Sequence, residues 1–352
     1  MKHKEFYCYL VPRLLPGDHY EVGRTYKMPK NAAVTEQGFS SFGSPVEAMW
    51  RSQFALSSDE VLFAQVEQSG SVWHRPEEYS TEVRSSRIKI ISIIAPEEMV
   101  RIAARWMEDD IKRWARSSGS TTTICKAVSA SIVKTRRESD VLSHGGYARI
   151  TSLGSNSWVV GCGGNDRILC EGAESFAAST GDGSTIVIEK DSMVLSCGNE
   201  AKICAKGGSN LLVSCGRKDQ IVSEGICNHI FSCGEGAKVV TKGVMTRLCS
   251  IGSHAPIDCM EMCNVDSYGP EAMIVGGEWM RVDSRGENAV IILTGDKSYF
   301  KAKAGSRVIA TGWAPDGRDG NRVPFTLTEL VGGERIKADT WYAYENGQFS
   351  EQ

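Results

Sequence analysis

The cysteines and histidines of this chain include two local pairs whose spacing could supply ligands to a zinc ion. Cys227 and His229 form one pair, and Cys259 and Cys263 form the other. A structural zinc site normally needs four ligands, supplied by two such pairs at regular spacing. Neither pair has a second pair at that distance along the chain, so we predict no metal site. Packing as small apolar core residues explains the regularly spaced cysteines better, above all Cys197, Cys215 and Cys233.

A nucleophile and a general base could come only from scattered residues. Cys8 could pair with His19 or His74, but three isolated positions without spacing logic are weak support for nucleophilic catalysis. No G-x-x-x-x-G-K-[ST] phosphate loop occurs in the chain. We therefore predict no catalytic residue and no cofactor.

Composition narrows the class of protein. The 352 residues include 36 Gly and 10 Pro, and the formal net charge is −3 without a Lys/Arg cluster, which makes nucleic-acid binding unlikely. No window of eighteen apolar residues predicts a membrane span, and the first residues lack the apolar core of a signal peptide. The 12 Cys are therefore expected to be reduced thiols in the cytoplasm, or in the host cytoplasm if the source is a phage.

A glycine repeat occupies much of the part of the chain that would position any functional residue. From Gly145 to Gly295 a glycine recurs at nearly every ninth residue, and we call these positions the beats of the repeat. The step from Gly269 to Gly277 is eight, and Lys190 and Glu261 occupy two beats that lack a glycine. A fixed period of this kind predicts a repeat architecture. Every second beat resembles Ser196-Cys197-Gly198, so the unit is a pair of nonapeptides of about 18 residues.

Each nonapeptide is predicted to form a short strand and a turn, in which glycine supplies either a positive φ or a close backbone approach. Stacked coils would form two parallel sheets. We predict a mainly β fold: a parallel, two-sided β-solenoid of the β-roll or β-helix type, with a small α+β N-terminal domain and a short β C-terminal cap. The predicted domains are residues 1–119, 120–312 and 313–352.

The same period occurs in calcium-binding β-rolls, where every turn carries an aspartate ligand. Here the carboxylates are scattered: Gly163-Gly164-Asn165-Asp166 has one, and Gly225-Ile226-Cys227-Asn228 has none. We keep the coil geometry and predict no calcium.

Most repeat strands carry two consecutive apolar residues, and side chains alternate across a strand, so one of each pair should point outward. Either the short, curved strands cover both residues, or the outer ones form an apolar face that packs on a second copy or on the N-terminal domain. Under the second alternative the partner is another protein, host or self, with a homodimer favoured, and the interaction residues are Leu169, Val187, Leu195, Val213, Phe231 and Val240.

The N-terminal region lacks the repeat. Strands are predicted over 6–14, 61–66 and 87–94, and helices are predicted to start at Ser44-Pro45 and at Pro96. An alternative function is an enzyme or nucleotide-binding module of transferase-like type in this domain. Its pocket would be lined by Tyr20, Arg24, Tyr26 and Glu67.

The order of parts resembles a family of uncharacterised phage and bacterial proteins with a small α+β domain, a short-repeat array and a compact tail. The similarity is carried by the segments 21–26, 38–45, 86–90, 333–342 and 346–349. Those relatives usually have Gly-Phe-His-x-Cys where this chain has Gly38-Phe39-Ser40-Ser41-Phe42, which lowers the expectation of catalysis.

These observations predict a non-catalytic protein-interaction scaffold. If the source is a phage, we expect the protein to inhibit a host defence system by direct binding. This expectation rests on association and not on a physical argument. A structural fibre or particle component is a further alternative to the N-domain enzyme.

Overall fold

The computed structural model describes residues 6–10, 20–29, 32–52, 62–76, 80–116, 121–315 and 322–352. The chain divides into two compact units, Met1–Asp110 and Ile111–Gln352. The predicted boundary at 119–120 lies outside the described residues.

The first unit is a small α+β fold. Its elements are β1 (Phe6–Leu10), β2 (Thr25–Lys27), α1 (Val34–Gln37), β3 (Phe39–Phe42), α2 (Pro45–Ser52), β4 (Leu62–His74), β5 (Glu82–Ile94) and α3 (Pro96–Trp114), which crosses the division between the units. Four of the strands pair antiparallel around a closed ring in the order β5-β4-β1-β3, and β2 adds to β5 beside β3.

Both predicted helix starts are confirmed, and a strand lies at each predicted place. Residues 11–14 of the first predicted strand lie outside the described residues. The other two strands, β4 and β5, are longer than the predicted 61–66 and 87–94.

The two longer helices follow local rules. The hydroxyl of Ser44 accepts a hydrogen bond from the amide of Glu47 at 3.3 Å, which caps α2 ahead of Pro45. In α3, Glu97 and Glu98 lie in the first turn and Lys112 and Arg113 in the last, which complements the helix dipole. The buried apolar residues of α3 recur at helical spacing, namely Met99, Val100, Ala103, Ala104, Met107 and Ile111.

The second unit is a parallel β-solenoid of about 10 turns with about 18 residues per coil, as predicted. Each coil gives one strand to each of two sheets, and each strand pairs in register with its equivalent in the next coil. The thirteen-stranded sheet contains β6 (Thr123–Cys125), β8 (Val141–Ser143), β10 (Trp158–Gly161), β12 (Phe176–Ser179), β14 (Met193–Ser196), β16 (Leu211–Ser214), β18 (His229–Ser232), β20 (Arg247–Ser250), β22 (Asn264–Ser267), β24 (Arg281–Ser284), β26 (Ser298–Ala302), β29 (Tyr342–Glu345) and β30 (Gln348–Glu351).

The twelve-stranded sheet contains the alternate strands. They are β7 (Ser131–Lys134), β9 (Arg149–Ser152), β11 (Arg167–Cys170), β13 (Thr185–Ile188), β15 (Lys202–Ala205), β17 (Gln220–Ser223), β19 (Lys238–Thr241), β21 (Pro256–Cys259), β23 (Met273–Gly276), β25 (Val290–Leu293), β27 (Arg307–Pro315) and β28 (Arg322–Leu330).

Every strand from β9 to β25 has four residues. The second residue of each points into the coil, where Ile168 and Ile186 meet Val194 and Leu212 in one continuous core. The third residue points outward, because side chains alternate along a strand.

The beat glycines are required by close backbone approach. A Cβ on Gly216 would lie 1.9 Å from the carbonyl oxygen of Gly198, and one on Gly234 would lie 1.7 Å from that of Gly216. The positive φ falls two residues later, as at Glu200 (57°) after Gly198. Of the two roles predicted for glycine, contact between successive coils therefore explains the period.

Buried polar side chains in the turns tie each coil to its neighbour. Asp219 accepts a hydrogen bond from the amide of Ala201 at 2.8 Å, and Asn228 accepts one from the amide of Asn210 at 2.8 Å, both across 18 residues. Such bonds satisfy amides that would otherwise be buried without a partner. Burial raises the pKa of Asp219 to about 6, against the lowering effect of its hydrogen bonds with the Ser214 hydroxyl and with the amides of Ala201 and Gly216.

The tail extends both sheets with antiparallel strands. β28 pairs along the whole of β27, and β29 pairs with β26 and then with β30. This is the short β cap that the sequence predicts. Because its strands reverse direction, the exposed parallel edge of the last coil is covered.

Candidate functional site: the outward face of the twelve-stranded sheet

Leu169, Val187 and Val240, three of the six predicted interaction residues, lie on the outward face of the twelve-stranded sheet. Each is the third residue of its strand and is half-buried. In-register pairing places Cys204 and Val222 between them on the intervening strands. We call these five residues, on β11 to β19, the aliphatic stripe.

A cationic edge runs beside the aliphatic stripe. The first residues of β9, β11, β15 and β19 are Arg149, Arg167, Lys202 and Lys238, and all four are exposed. Among the residues that the structure describes, none of the four lies within salt-bridge distance of a carboxylate. The other two strands of this stretch begin with uncharged Thr185 and Gln220, so the edge carries one sign of charge.

The opposite border of the stripe carries both signs of charge. The residues that follow β11, β13, β15, β17 and β19 are Glu171, Glu189, Lys206, Glu224 and Lys242. Lys242 lies 3.0 Å from Glu224 on the next coil, at an exposed position. The five residues immediately precede beats of the repeat. An exposed pair of this kind contributes little to stability.

Leu195, Val213 and Phe231, the other three predicted interaction residues, point outward from the thirteen-stranded sheet. They are third residues of β14, β16 and β18, and all three are buried. The two apolar residues of these strands are therefore both buried, whereas the outward residue of the twelve-stranded sheet is half-buried. The six residues lie on two different faces, and only the aliphatic stripe is open to solvent. That any of the six binds a partner stays a prediction.

The cysteines of the Ser-Cys-Gly tripeptides are not core residues, contrary to prediction. Cys197, Cys215 and Cys233 are half-buried just after their strands end, whereas the preceding serines are fully buried. The serine occupies the fourth, inward position of its strand, so the cysteine that follows lies at the coil corner. The cysteines that do enter the interior are Cys170, Cys259 and Cys263.

Two neighbouring aspartates on the thirteen-stranded sheet were not anticipated from the sequence. Asp266 and Asp283 are register partners on β22 and β24, and they are 4% and 2% exposed. Arg285 and Lys301 bind one carboxylate oxygen of Asp283, at 2.7 and 3.0 Å. Burial, followed by the charge of Asp283, raises the pKa of Asp266 to about 6.

Aromatic rings lie next to these cations. Arg281 and Lys301 lie 4.2 and 5.2 Å from the ring centre of Trp341, and Arg285 lies 5.2 Å from that of Tyr268. The sequence signal for this cluster is the tripeptide Val-Asp-Ser, which occurs at 265–267 and again at 282–284.

The pocket predicted in the N-terminal domain is brought together only in part. The rings of Tyr20 and Tyr26 meet edge to face at 5.0 Å, and Arg24 lies 5.2 Å from the ring centre of Tyr26. Tyr26 is buried in the small core of this unit. Glu67 is exposed, and its register partner Lys89 pairs in turn with Thr25, which places Glu67 on the opposite face of the sheet from Tyr26. The four residues therefore do not line one cavity.

The cavity described in this unit, about 450 Å³, lies elsewhere. Its walls include Gln65, Ser92, Glu98 and Ile102. A separate buried carboxylate, Glu82, binds Arg75 and Arg84, both at 2.8 Å, and accepts a hydrogen bond from Ser40 at 3.1 Å. Burial alone would raise the pKa of Glu82, but the two guanidinium groups outweigh it and hold the pKa below its ordinary value.

Comparison of the chain with protein-family models, with curated proteins and with solved structures found no match. Of the resemblance stated from the sequence, the structure supports the architecture alone: a small α+β region followed by a β-solenoid. None of the described helices is long and apolar enough to cross a bilayer.

Proposed function

We propose that the protein is a non-catalytic protein-interaction scaffold that binds another protein through the outward face of its twelve-stranded sheet. The observation that carries the proposal is the aliphatic stripe with its cationic edge. Parallel strands lie about 4.8 Å apart, so the stripe runs about 19 Å from Leu169 to Val240 on backbone held by in-register hydrogen bonds. A preformed apolar surface loses little conformational entropy when it binds.

The cationic edge indicates the charge of the partner. Arg149, Arg167, Lys202 and Lys238 are exposed and lie outside the salt bridges of the described residues. Complementary potentials speed the encounter of two proteins and select one orientation. We therefore expect a partner with an apolar strip bordered by Asp and Glu on one side.

The same charges argue against a second copy on this face. Two copies could pack face to face around a two-fold axis parallel to the stacking direction of the coils. The first residue of each strand would then face the partner's residue that follows the equivalent strand. Arg167 would then face Glu171, but Lys202 would face Lys206 and Lys238 would face Lys242. A two-fold axis along the strands would set the cationic edge against itself. The predicted homodimer therefore stays a prediction, to be tested by the mass of the protein in solution.

Binding and blocking of a host defence component is the more specific form of this proposal. It is supported by the phage resemblance of the sequence and requires identification of the partner. The cytoplasmic location predicted from the sequence is part of the same proposal.

Site-specific photo-crosslinking tests the binding face. Gln220 is exposed on the cationic edge, on the strand between those of Lys202 and Lys238, and is the position for a photoreactive residue. Glu235, exposed in a turn away from the sheet, is the matched control position. In the cell of origin we expect one protein adduct from position 220 and none from position 235.

A second pair of variants makes that result specific. Lys202→Glu with Lys238→Glu reverses half of the cationic edge, and Val222→Asp places a charge in the aliphatic stripe. Both should abolish the adduct at position 220 while leaving the unfolding temperature within a few degrees of wild type. An adduct that persists in both variants would show that this face is not the binding surface.

A further inference from the structure

Two thiols meet at one corner of the solenoid. Cys259 ends β21 on the twelve-stranded sheet, and Cys263 immediately precedes β22 on the other sheet. The corner between them contains Glu261, one of the two positions where the repeat lacks its glycine. The two cysteine residues are 2% and 0% exposed.

Two contacts place the sulfur of Cys263 beside the column that contains Cys259. Its thiol donates a hydrogen bond to the carbonyl oxygen of Glu261, within the corner, at 3.2 Å. Independently, the sulfur of Cys263 lies 3.5 Å from the hydroxyl oxygen of Thr241, which is the register partner of Cys259 one coil earlier. The side chain of Cys263 therefore lies against the column that contains Cys259.

The surroundings make the two thiols unequal. The interaction with Cys259 lowers the pKa of Cys263 against the raising effect of burial, and the hydroxyl of Thr241 lowers it further. The same contact and burial raise the pKa of Cys259. The thiol with the lowered pKa is the attacking cysteine, and the thiol with the raised pKa is the resolving one. Cys170, inward-facing like Cys259 on an earlier strand, shows the contrast, because burial raises its pKa to about 12.

We propose that Cys259 and Cys263 form a dithiol site that a hydroperoxide oxidises to an intrachain disulfide. The thiolate of Cys263 attacks the nearer peroxide oxygen, the O–O bond breaks, and the alkoxide or hydroxide leaves and takes up a proton. Cys263 is then a sulfenic acid. The sulfur of Cys259 attacks the sulfenic sulfur, its proton goes to the departing hydroxide, and water leaves. Two thiols lose two electrons in total, and the two peroxide oxygens gain them.

The corner is thin enough for a small oxidant to reach. Met260 and Met262, which flank Glu261, are 52% and 46% exposed, so one layer of chain separates the sulfurs from solvent. The site lies outside the aliphatic stripe, so this inference does not depend on the proposed interaction face.

Peptide mapping of the folded full-length protein tests the linkage. Reduced protein is treated with hydrogen peroxide, its remaining thiols are alkylated, and the chain is cut after glutamate, which separates Cys259 from Cys263 at Glu261. We expect the two peptides to remain joined, to lose two hydrogens together, and to separate on treatment with dithiothreitol. A linkage that forms only after the protein is unfolded overturns the proposal.

Matched variants test the order of steps. Cys259→Ala should leave Cys263 as a sulfenic acid that dimedone traps, whereas the wild type should give at least tenfold less of that adduct. Cys263→Ser, which restores the residue found at the equivalent turn positions Ser175 and Ser192, should leave Cys259 unmodified. Cys170→Ala is the control and should form the disulfide as fast as wild type. Equal dimedone labelling of Cys263 in wild type and Cys259→Ala would overturn the assignment of Cys259 as the resolving thiol.

Discussion

Asp266 and Asp283 lie side by side on adjacent parallel strands, in register and almost without solvent exposure. Arg285 and Lys301 both bind Asp283, whereas Asp266 is influenced more weakly by Arg281, Lys301 and Arg247. Two like charges one strand apart, with unequal compensation, favour protonation of the less compensated one.

The stability of the solenoid should therefore depend on pH through Asp266. Its pKa in the folded state is raised to about 6 from an ordinary 3.8. A raised acid pKa means that its contribution to folding is fully present at low pH and is lost as the pH rises through about 6. Asp266→Asn mimics the protonated form, so its advantage over wild type in unfolding free energy should grow between pH 4 and pH 7. After allowance for partial solvent screening we expect a gain on the order of 1–2 kcal/mol.

Chemical denaturation at several pH values measures this difference. Asp258→Asn, an exposed acid on the other sheet, is the control for the loss of one carboxylate charge. A difference between Asp266→Asn and wild type that stays constant from pH 4 to pH 7 would contradict the prediction.

The beat glycines should tolerate no side chain, whereas a neighbouring glycine should. A Cβ on Gly163 would lie 2.4 Å from the carbonyl oxygen of Gly145, while one on Gly164 would lie 3.4 Å from its nearest neighbour, the carbonyl oxygen of Asp182. Gly163→Ala should therefore lower the unfolding free energy by roughly 2–4 kcal/mol, and Gly164→Ala should change it by less than about 0.5 kcal/mol. Thermal and denaturant unfolding of the two variants compares them directly, and similar losses would contradict the close-approach explanation of the repeat.

Glu82 should stabilise the N-terminal unit through its charge. Glu82→Gln keeps the shape but removes the carboxylate that Arg75 and Arg84 bind, and we expect a loss on the order of 2 kcal/mol. Because the pKa of Glu82 is lowered on folding, its contribution is present at neutral pH and is lost as the pH falls through the folded-state pKa, below 4.5. Wild type and variant should therefore converge in acid.

Hydrogen exchange of the backbone amides of β4 and β5 measures the loss of stability within the N-terminal unit alone. Glu67→Gln, an exposed acid on β4, should leave protection unchanged. Equal loss of protection in both variants would assign the effect to the strands and not to the buried charge.

The sequence was sufficient for the solenoid because its period depends on backbone contact. The clash at Gly216 and at Gly234 is the same clash one coil apart, so the signal recurs with the coil and can be read without coordinates. The half-buried state of Cys197 could not be predicted from the glycine period. Whether the serine or the cysteine of a Ser-Cys-Gly tripeptide points inward depends on which residue ends the strand, and a glycine period does not fix that point.

The site was predictable only in part, for a related reason. Val187 and Leu195 carry the same kind of side chain, and only the sheet to which each belongs decides that one is half-buried and the other fully buried. The pairing of Asp266 with Asp283 depends on a coil of 17 residues instead of 18, because the step from Gly269 to Gly277 is eight. An irregular step of this kind obscures which residues become neighbours.

The contact of each beat glycine with the carbonyl group one coil earlier has a consequence for how such genes change length. Each coil contacts the next coil through the same glycine–carbonyl geometry by which it contacts the preceding coil, as the succession Gly198, Gly216 and Gly234 shows. Duplication or deletion of one whole coil within this regular stretch therefore leaves every remaining junction chemically intact, whereas loss of half a coil would exchange the two sheets downstream. Recombination should accordingly alter the array in whole-coil increments, lengthening or shortening the aliphatic stripe without redesign of either end.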